Sequence, residues 1–248
     1  MALPGMPLVG PGDDLARLIL AAVERAGTSL APGDVLVVAQ KVVSKAEGRE
    51  TRLADAVITE AARELAIQVD KDPRLVALIL SEARQVLRSR PGVIIVEHRL
   101  GYVMANAGID ASNVDSSGGE PRVLLLPEDP DASCRRLRAD LQRLCGVAPA
   151  VIVNDSVGRA WRQGSIGTAL GSAGLPALWD LRGKHDLFQR PLMVTQVGLA
   201  DEIASAGSLL QGQADEGTPV VLLRGLALPQ DAGGADALLR PLADDLFR

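Results

Sequence analysis

The sequence predicts a mixed α/β fold. Residues 34 to 39 and 150 to 153 contain apolar runs of the Val-Leu-Val-Val kind, which are typical of strands buried on both faces of a sheet. Segments with apolar residues at helical spacing separate these runs, and the clearest spans residues 130 to 146. The 248 residues are enough for one large domain or two closely packed lobes. We therefore expect residues 1–248 to form a single unit.

The N-terminal half is predicted to alternate between helices and strands. Asp14 is a suitable N-cap for a helix that begins at Leu15, and Gly27 suits its end. Asp72-Pro73 places proline in the first turn of a later helix, whose apolar positions continue to Leu87. The other predicted elements are a strand over 34–39, a helical segment over 54–65, and strands over 93–96 and 102–106.

The C-terminal half follows the same pattern. A helix is predicted from Pro130 to Gly146, with most of its arginines on the solvated face. The strand over 150–153 is predicted to end at Asn154-Asp155-Ser156. Glycines between Gly158 and Gly174 either form a loop or permit tight helix packing. The other predicted elements are strands over 123–126, 192–197 and 219–223, and a helix that opens at 200–204.

Composition excludes several classes of function. Aromatic residues make up 2% of the chain, so base-stacking surfaces are scarce, and the net charge of −5 opposes a general polyphosphate-binding surface. We therefore expect no nucleic-acid partner. No apolar run is long enough to cross a bilayer, and the N-terminus lacks a signal-peptide pattern. Because Cys134 and Cys145 form neither a disulfide framework nor a zinc motif, we expect a reduced, cytoplasmic protein without a membrane partner.

Three oxygen-rich stretches are candidates for a polar site. The first, residues 105–115, contains Asp110 and follows an apolar segment. Carboxylate, amide and hydroxyl oxygens are the ligands that Mg²⁺ or Mn²⁺ selects, although an Asx-rich turn that satisfies its own backbone explains the same residues. The second is Asp155-Ser156 at the end of a buried strand, where the sheet fixes the carboxylate. The third is residues 211–217.

Positive charges follow two of the buried strands. Lys41 and Lys45 come after the strand over 34–39, where they either meet the phosphates of a ligand or are simply solvated. Arg159 and Arg162 lie in the glycine-rich segment and can clamp phosphate or carboxylate through paired N–H donors. Acidic and basic residues together suit metal-assisted chemistry on a phosphate compound. The chain has no Gly-x-x-x-x-Gly-Lys-Ser/Thr motif, which excludes an ordinary P-loop.

Four motifs, in this order, resemble those of the coenzyme F-420 γ-glutamyl ligase family. They are Val42-Val43-Ser44-Lys45-Ala46-Glu47-Gly48, Asn106-Ala107-Gly108-Ile109-Asp110-Ala111-Ser112-Asn113-Val114, Asp155-Ser156 with Gly158-Arg159, and Gly212-Gln213-Ala214-Asp215-Glu216-Gly217. The resemblance extends from Gly12 to Gly225. It implies a family-specific, two-lobed fold with mixed sheets and an intertwined homodimer.

The resemblance implies a GTP-dependent ligase that adds L-glutamate to coenzyme F-420-0. In that family the GTP γ-phosphate phosphorylates the terminal carboxylate of the deazaflavin precursor. The glutamate amine then attacks the acyl phosphate, which gives an amide, GDP and phosphate, and further rounds add γ-linked residues. Two divalent cations, Mg²⁺ or Mn²⁺, are implied per site. Some bacterial relatives carry a fused C-terminal reductase domain; because this chain stops at Arg248, we expect that activity to be absent.

The family motifs also imply roles for individual residues. Asp110 and Asp155 correspond to ligands of one metal, and Ser156 and Gln213 to ligands of the second, with Asp110, Asp155 and Lys45 as catalytic residues. Arg159 and Arg162 are candidates for the anionic substrate on the basis of their chemistry alone. The positions that correspond to GTP contacts are Met6, Pro7, Leu8, Val9, Gln40, Lys41, Lys45, Asn113, Gln211, Gly212, Gln213, Ala214, Asp215, Glu216, Gly217 and Thr218.

Two departures from the family pattern bear on these roles. Gln213 stands where some members have Glu, so the second metal would have a neutral ligand and weaker binding. Gln40-Lys41 differs from the small hydroxyl residues found there in the family. Two alternatives remain open. One is a metal-dependent phosphohydrolase that needs no glutamate, and the other is a non-catalytic nucleotide- or deazaflavin-binding protein.

Overall fold

The computed structural model describes residues 1–114, 119–229 and 233–246, so Asp115 of the first oxygen-rich stretch lies outside the described residues. The α/β class predicted from the sequence is confirmed. The helices are α1 (Leu15–Arg25), α2 (Gln40–Ala46), α3 (Glu60–Val69), α4 (Pro73–Ser81), α5 (Pro130–Cys145) and α6 (Leu199–Gln211). The strands are β1 (Val35–Ala39), β2 (Glu50–Arg52), β3 (Ala83–Arg90), β4 (Val93–His98), β5 (Val103–Ala105), β6 (Arg122–Leu124), β7 (Ala150–Gly158), β8 (Ser165–Ala173), β9 (Trp179–Asp180), β10 (Gln196–Val197) and β11 (Val220–Leu223).

The largest sheet has the strand order β11-β1-β7-β8 and is covered on both faces. Strand β1 runs parallel to β7 and antiparallel to β11, while β7 pairs antiparallel with β8. Leu36 and Val38 point into a core shared with α1 and α5, and Val35 and Val37 point into a second core shared with α6. Burial on both faces explains why this strand is apolar at every position.

A separate core lies beneath α3, α4 and the sheet β3-β4-β5. Thr59 caps α3 through a hydrogen bond from the Ala62 N–H to its side chain, and Asp72 caps α4 with proline at the first position. The helical segment predicted over 54–65 therefore begins later, at Glu60. This separate core, with α3, α4 and the sheet β3-β4-β5, forms a second lobe, which fits the two-lobed, mixed-sheet fold that the resemblance implies.

The helix predicted to continue to Leu87 is wrong beyond Ser81. Residues from Ala83 onward form β3, which pairs antiparallel with β4, and Pro91-Gly92 makes the turn between them. The apolar positions of this segment fit a helical period, but its backbone pairs with β4 instead. Such pairing is not visible in a local pattern.

The strand that carries Asp155 is longer than predicted. Strand β7 continues through Asp155 to Gly158, because β8 pairs with it as far as Ser165. The glycines of β8 are packing positions rather than loop positions. A Cβ at Gly167 would overlap the backbone of Ala204 on α6, and one at Gly171 would overlap that of Pro130 on α5.

Two other segments differ from their predicted structure. The residues directly after β1 form a helix, α2, which the sequence did not predict, and the strand predicted over 192–197 is reduced to Gln196–Val197. No helix within the described parts of the chain is long and apolar enough to span a bilayer.

Candidate active site

A cleft of about 810 Å³ opens at one edge of the main sheet. The pairing of β1 with β7 ends where Ala39 is in register with Asn154, so Gln40 and Asp155 lie side by side directly after it. Strand β11 begins at the same edge, so residues 211–219, which precede it in the chain, also lie there. The cleft is lined by residues 6–9, 39–42, 45, 105, 108–110, 112–114, 154–156 and 211–219.

The structure brings together the positions that the sequence assigns to GTP and metal. All of them, from Met6 to Thr218 in the set named above, lie in the wall of this cleft. Arg159 and Arg162 do not line it; they lie beyond the end of β7, in the turn before β8. Arg159 donates from Nη1 to the carbonyl oxygen of Gly164 at 3.1 Å.

Asp110 is held between α2 and its own loop. Lys41 Nζ lies 2.7 Å from Asp110 Oδ2, and Ser112 donates its backbone N–H to Oδ1 at 2.6 Å and its hydroxyl to Oδ2 at 2.9 Å. Backbone hydrogen bonds with Leu124 tie the residue to β6. Burial alone would raise the pKa of Asp110, but Lys41 and Ser112 outweigh it and lower the pKa overall. Asp110 is therefore ionised at neutral pH.

Asp155 is less well compensated. Its Oδ1 accepts the backbone N–H of Ser156 at 2.8 Å, and no ion pair to it is seen among the described residues. Burial raises the pKa of Asp155 to about 6, and the negative charge of Asp110 adds to the rise, while the Ser156 N–H and Lys41 oppose it. Two carboxylates thus share a single nearby lysine.

Two side-chain amides fix the loop after α6 against β7. Ser156 donates its hydroxyl to Gln213 Oε1 at 2.6 Å, and Gln213 Nε2 donates to Ser208 Oγ at 3.0 Å. Gln211 and Asn154 exchange amide hydrogen bonds at 2.8 and 3.1 Å. The amide oxygen of Gln213 is therefore held beside the Ser156 hydroxyl.

Helix α2 supplies the cations of the cleft. Lys41 and Lys45 are one turn apart, so they share a face, and Lys45 Nζ donates to the carbonyl oxygen of Asn113 at 2.6 Å. Gln40 is buried, and its Oε1 accepts the hydroxyl of Ser44 at 2.9 Å. Its Nε2 has no hydrogen-bond partner among the described residues. A ligand acceptor in the cleft would remove that penalty.

The oxygen atoms of the cleft fit a hard divalent cation. No group of three His, Cys, Asp or Glu side chains suitable for a metal is present in the part of the chain that the structure describes. The donor set instead combines the carboxylates of Asp110 and Asp155 with the Ser156 hydroxyl and the Gln213 amide oxygen. Such an all-oxygen set suits Mg²⁺ or Mn²⁺, and a cation would neutralise the excess charge at Asp155.

Comparisons with known proteins agree along the whole chain. The family model described as F420-0:Gamma-glutamyl ligase matches residues 5–225. A Methanothermobacter thermautotrophicus protein named coenzyme F420:L-glutamate ligase is 45% identical over 251 residues, which covers 100% of this chain and 98% of the relative. Proteins of the same name from Methanopyrus kandleri and Archaeoglobus fulgidus are 47% and 41% identical, over 97% and 98% of this chain and 93% and 94% of the relatives.

These matches define the chain as an enzyme of the ligase class. It belongs to the F420-0:gamma-glutamyl ligase family. The resemblance that the four motifs predicted is therefore confirmed, and the alternative of a non-catalytic binding protein is set aside.

Two residues of the site were not singled out from the sequence. Ser112 gives Asp110 two hydrogen bonds, and Asn154 anchors Gln211. Ser112 had a local signal, because an aspartate side chain commonly accepts the backbone N–H two residues on, as in an Asx turn. Asn154 had none, since its partner lies 57 residues away in the chain.

Proposed function

We propose that this chain is a GTP- and divalent-metal-dependent ligase that adds L-glutamate, in successive γ-linked steps, to coenzyme F420-0. Its relatives carry names that state the glutamate ligation, and the family is a γ-glutamyl ligase family. The observation that carries the proposal is the meeting of Asp110, Asp155 and Lys41 in one cleft. Paired carboxylates beside a lysine suit the transfer of a phosphoryl group, in which charge neutralisation and positioning dominate.

The residues present have distinct roles in this proposal. Two ions, Mg²⁺ or Mn²⁺, would be held by Asp110 and Asp155 and by Ser156 and Gln213, and they would supply charge neutralisation on the phosphates. Lys41 and Lys45, which both lie on α2, bind the phosphate oxygens. Gln40 donates its free Nε2–H to the nucleotide. Residues 6–9 and 211–218, which line the cleft, contact the nucleotide.

The reaction then proceeds in two balanced steps. A carboxylate oxygen of the acceptor attacks the γ-phosphorus of GTP, the bond to the β,γ-bridging oxygen breaks, and GDP leaves with that electron pair. The glutamate amine attacks the acyl carbon, the bond to the phosphate oxygen breaks, and the amine proton passes to water. The products are an amide, GDP and phosphate. The cleft residues hold both anionic reactants against their mutual repulsion.

The test is a reconstituted reaction. The chain is incubated with GTP, Mg²⁺ or Mn²⁺, L-glutamate and the glutamate-free precursor, and mass spectrometry follows the precursor while GDP is assayed separately. We expect glutamyl residues to be added and GDP to appear in equal amounts. Substitution of ATP for GTP tests the nucleotide, and chelation by EDTA tests the metal. Ligation that persists without either one would refute that part of the proposal.

The same assay separates a ligase from a metal-dependent phosphohydrolase. A hydrolase releases GDP and phosphate from GTP alone, whereas a ligase releases GDP only when acceptor and glutamate are both present. Reactions that omit one substrate at a time therefore decide between them.

We propose in addition that the chain forms a homodimer and, given its two free cysteines, acts in the reducing cytoplasm. Large apolar side chains are highly exposed in the turn before β8 and in the segment before β10. They are Trp161, Leu187, Phe188, Met193 and Val194. Such exposure supports the proposal that a second copy of the chain covers this surface. Light scattering after size exclusion would give twice the chain mass, and Phe188→Ser with Val194→Ser would shift the equilibrium toward monomer.

A further inference from the structure

The loop after α6 holds one of its own carboxylates in a backbone anion site. Residues 212–217 connect α6 to β11 and line the cleft. Ala214 donates its backbone N–H to Glu216 Oε2 at 2.8 Å. The N–H of Ala214, together with those of Glu216 and Gln213, lowers the pKa of this carboxylate. Successive N–H groups that converge on one anion form a nest.

The loop is shaped around this carboxylate. Gly212 has φ 76° and ψ −179°, a conformation that is open essentially to glycine alone. A Cβ at this position would overlap the carboxylate of Glu216. A side chain at residue 212 would thus close the nest, so glycine keeps it open to an anion.

The bound carboxylate is weakly retained. Glu216 is exposed, and no lysine, arginine or histidine pairs with it among the described residues. Its bonds to the loop are therefore open to competition from water and from other anions. Lys41 and Lys45 line the same cleft, so an entering phosphate is attracted toward this region.

We infer that Glu216 is a displaceable internal anion, whose carboxylate gives up the Ala214 N–H and its place in this loop to a phosphate group of the nucleotide. This inference rests on the proposed use of a nucleoside triphosphate and specifies how the cleft accepts it. Before the ligand arrives, Glu216 accepts the Ala214 N–H. After exchange, its carboxylate turns to solvent and the phosphate takes its place, so the nucleotide binds against an internal competitor.

Removal of the competitor tests the inference. Isothermal titration calorimetry in Mg²⁺ buffer measures the binding of GTP, pyrophosphate and guanosine to the wild type, Glu216→Ala and Glu216→Gln. We expect Glu216→Ala to bind GTP and pyrophosphate about threefold to tenfold more tightly than the wild type. Glu216→Gln should gain less, because a neutral amide is a weaker occupant of the nest. Guanosine, which has no phosphate, should bind all three proteins equally.

Glu202→Gln is the matched charge control, because it removes one exposed negative charge outside the cleft and leaves the loop intact. An equal gain for Glu202→Gln, or a gain for guanosine, would mean that general charge explains the effect and would overturn the inference. Weaker GTP binding by the Glu216 variants would instead make Glu216 a structural cap. Thermal unfolding checks each variant, and Glu216→Gln decides the result if Glu216→Ala does not fold. If the wild type itself binds no GTP, the proposed function fails; if it binds but neither Glu216 variant gains, only this inference fails.

Discussion

Positive neighbours compensate the negative charge of carboxylates to very different extents in two regions of this chain. At the junction of α4 and β3, Glu82 lies 3.0 Å from both Arg49 Nη2 and Arg99 Nε and 3.3 Å from His98 Nε2. Burial alone would raise the pKa of Glu82, but His98 and the two arginines lower it to about 2. In the cleft, Asp110 and Asp155 share Lys41, and the pKa of Asp155 is raised to about 6.

The contrast separates a structural carboxylate from candidate functional ones. Glu82 has more positive partners than it needs, and it joins the second lobe to Arg49, whose Nε also binds the Leu126 carbonyl oxygen. The cleft has more negative charge than its own cations neutralise. Charge that the fold leaves uncompensated is a property of sites that await a cation or a reacting group. The predictions below test this difference.

The largest effect is expected when the cleft loses a carboxylate. Asp110→Asn keeps the shape of the side chain and an oxygen that accepts the Ser112 N–H, but it removes the charge that would bind a cation and that pairs with Lys41. We expect the ligation rate to fall about a thousandfold, since stabilisation of transferring phosphate by a bound cation contributes several kcal/mol. The rate is measured as GDP release in the presence of acceptor and glutamate.

The matched control for this change is Glu202→Gln, an exposed carboxylate on α6 outside the cleft. It should retain the wild-type rate. Both variants should unfold at the wild-type temperature within a few degrees. Full activity in Asp110→Asn would remove Asp110 from the site, and a large loss of stability would mean that its role is structural.

The second effect concerns folding rather than activity. Glu82→Gln leaves Arg49 and Arg99 without their shared anion at a position that is only 8% exposed. We expect the free energy of unfolding to fall by about 2–4 kcal/mol, as for other partly buried ion pairs that lose one partner. Urea unfolding followed by circular dichroism measures it. Glu60→Gln, which removes an exposed partner of Arg63, should cost less than about 0.5 kcal/mol.

The same carboxylate predicts how stability depends on pH. The pKa of Glu82 falls from its ordinary 4.5 to about 2 on folding, so its contribution is complete above pH 4.5 and is lost as the pH falls toward 2. The difference in unfolding free energy between the wild type and Glu82→Gln should shrink over this window, by at most about 1.4 kcal/mol per pH unit. Urea titrations at several pH values check this. A difference that stays constant would contradict the assigned partners of Glu82.

The two regions also differ in how well the sequence predicted them. Local signals were enough for α1 and α5, where Asp14 and Asp129 accept N–H groups of the first turn. The continuous apolar runs were enough for β1 and the start of β7. The region of Glu82 was predicted as helix, because its apolar spacing fits a helical period while the pairing of β3 with β4 depends on residues across a turn.

In the site, the order of the motifs predicted which segments line the cleft, but not how they are held. That β7 continues past Asp155 depends on its pairing with β8, and this carries Arg159 away from the cleft wall. The bond between Ser156 and Gln213 joins residues 57 apart in the chain. Such contacts follow from sheet topology, which a single sequence does not contain.

The smallest and most specific effect concerns Gln213, a neutral candidate for a metal ligand in the cleft. Gln213→Glu places a full negative charge on the oxygen that accepts the Ser156 hydroxyl, and cation affinity rises with the number of charged ligands. We expect the free Mg²⁺ concentration for half-maximal ligation to fall about threefold to tenfold, since one charge is added among several oxygen donors. Gln213→Met keeps the length of the side chain but removes the oxygen, so it should shift the requirement in the opposite direction. Activity measured against free Mg²⁺ at constant ionic strength reveals both shifts. If the two variants moved together, the change would reflect loop packing against Ser208, and Gln213 would no longer be a candidate ligand.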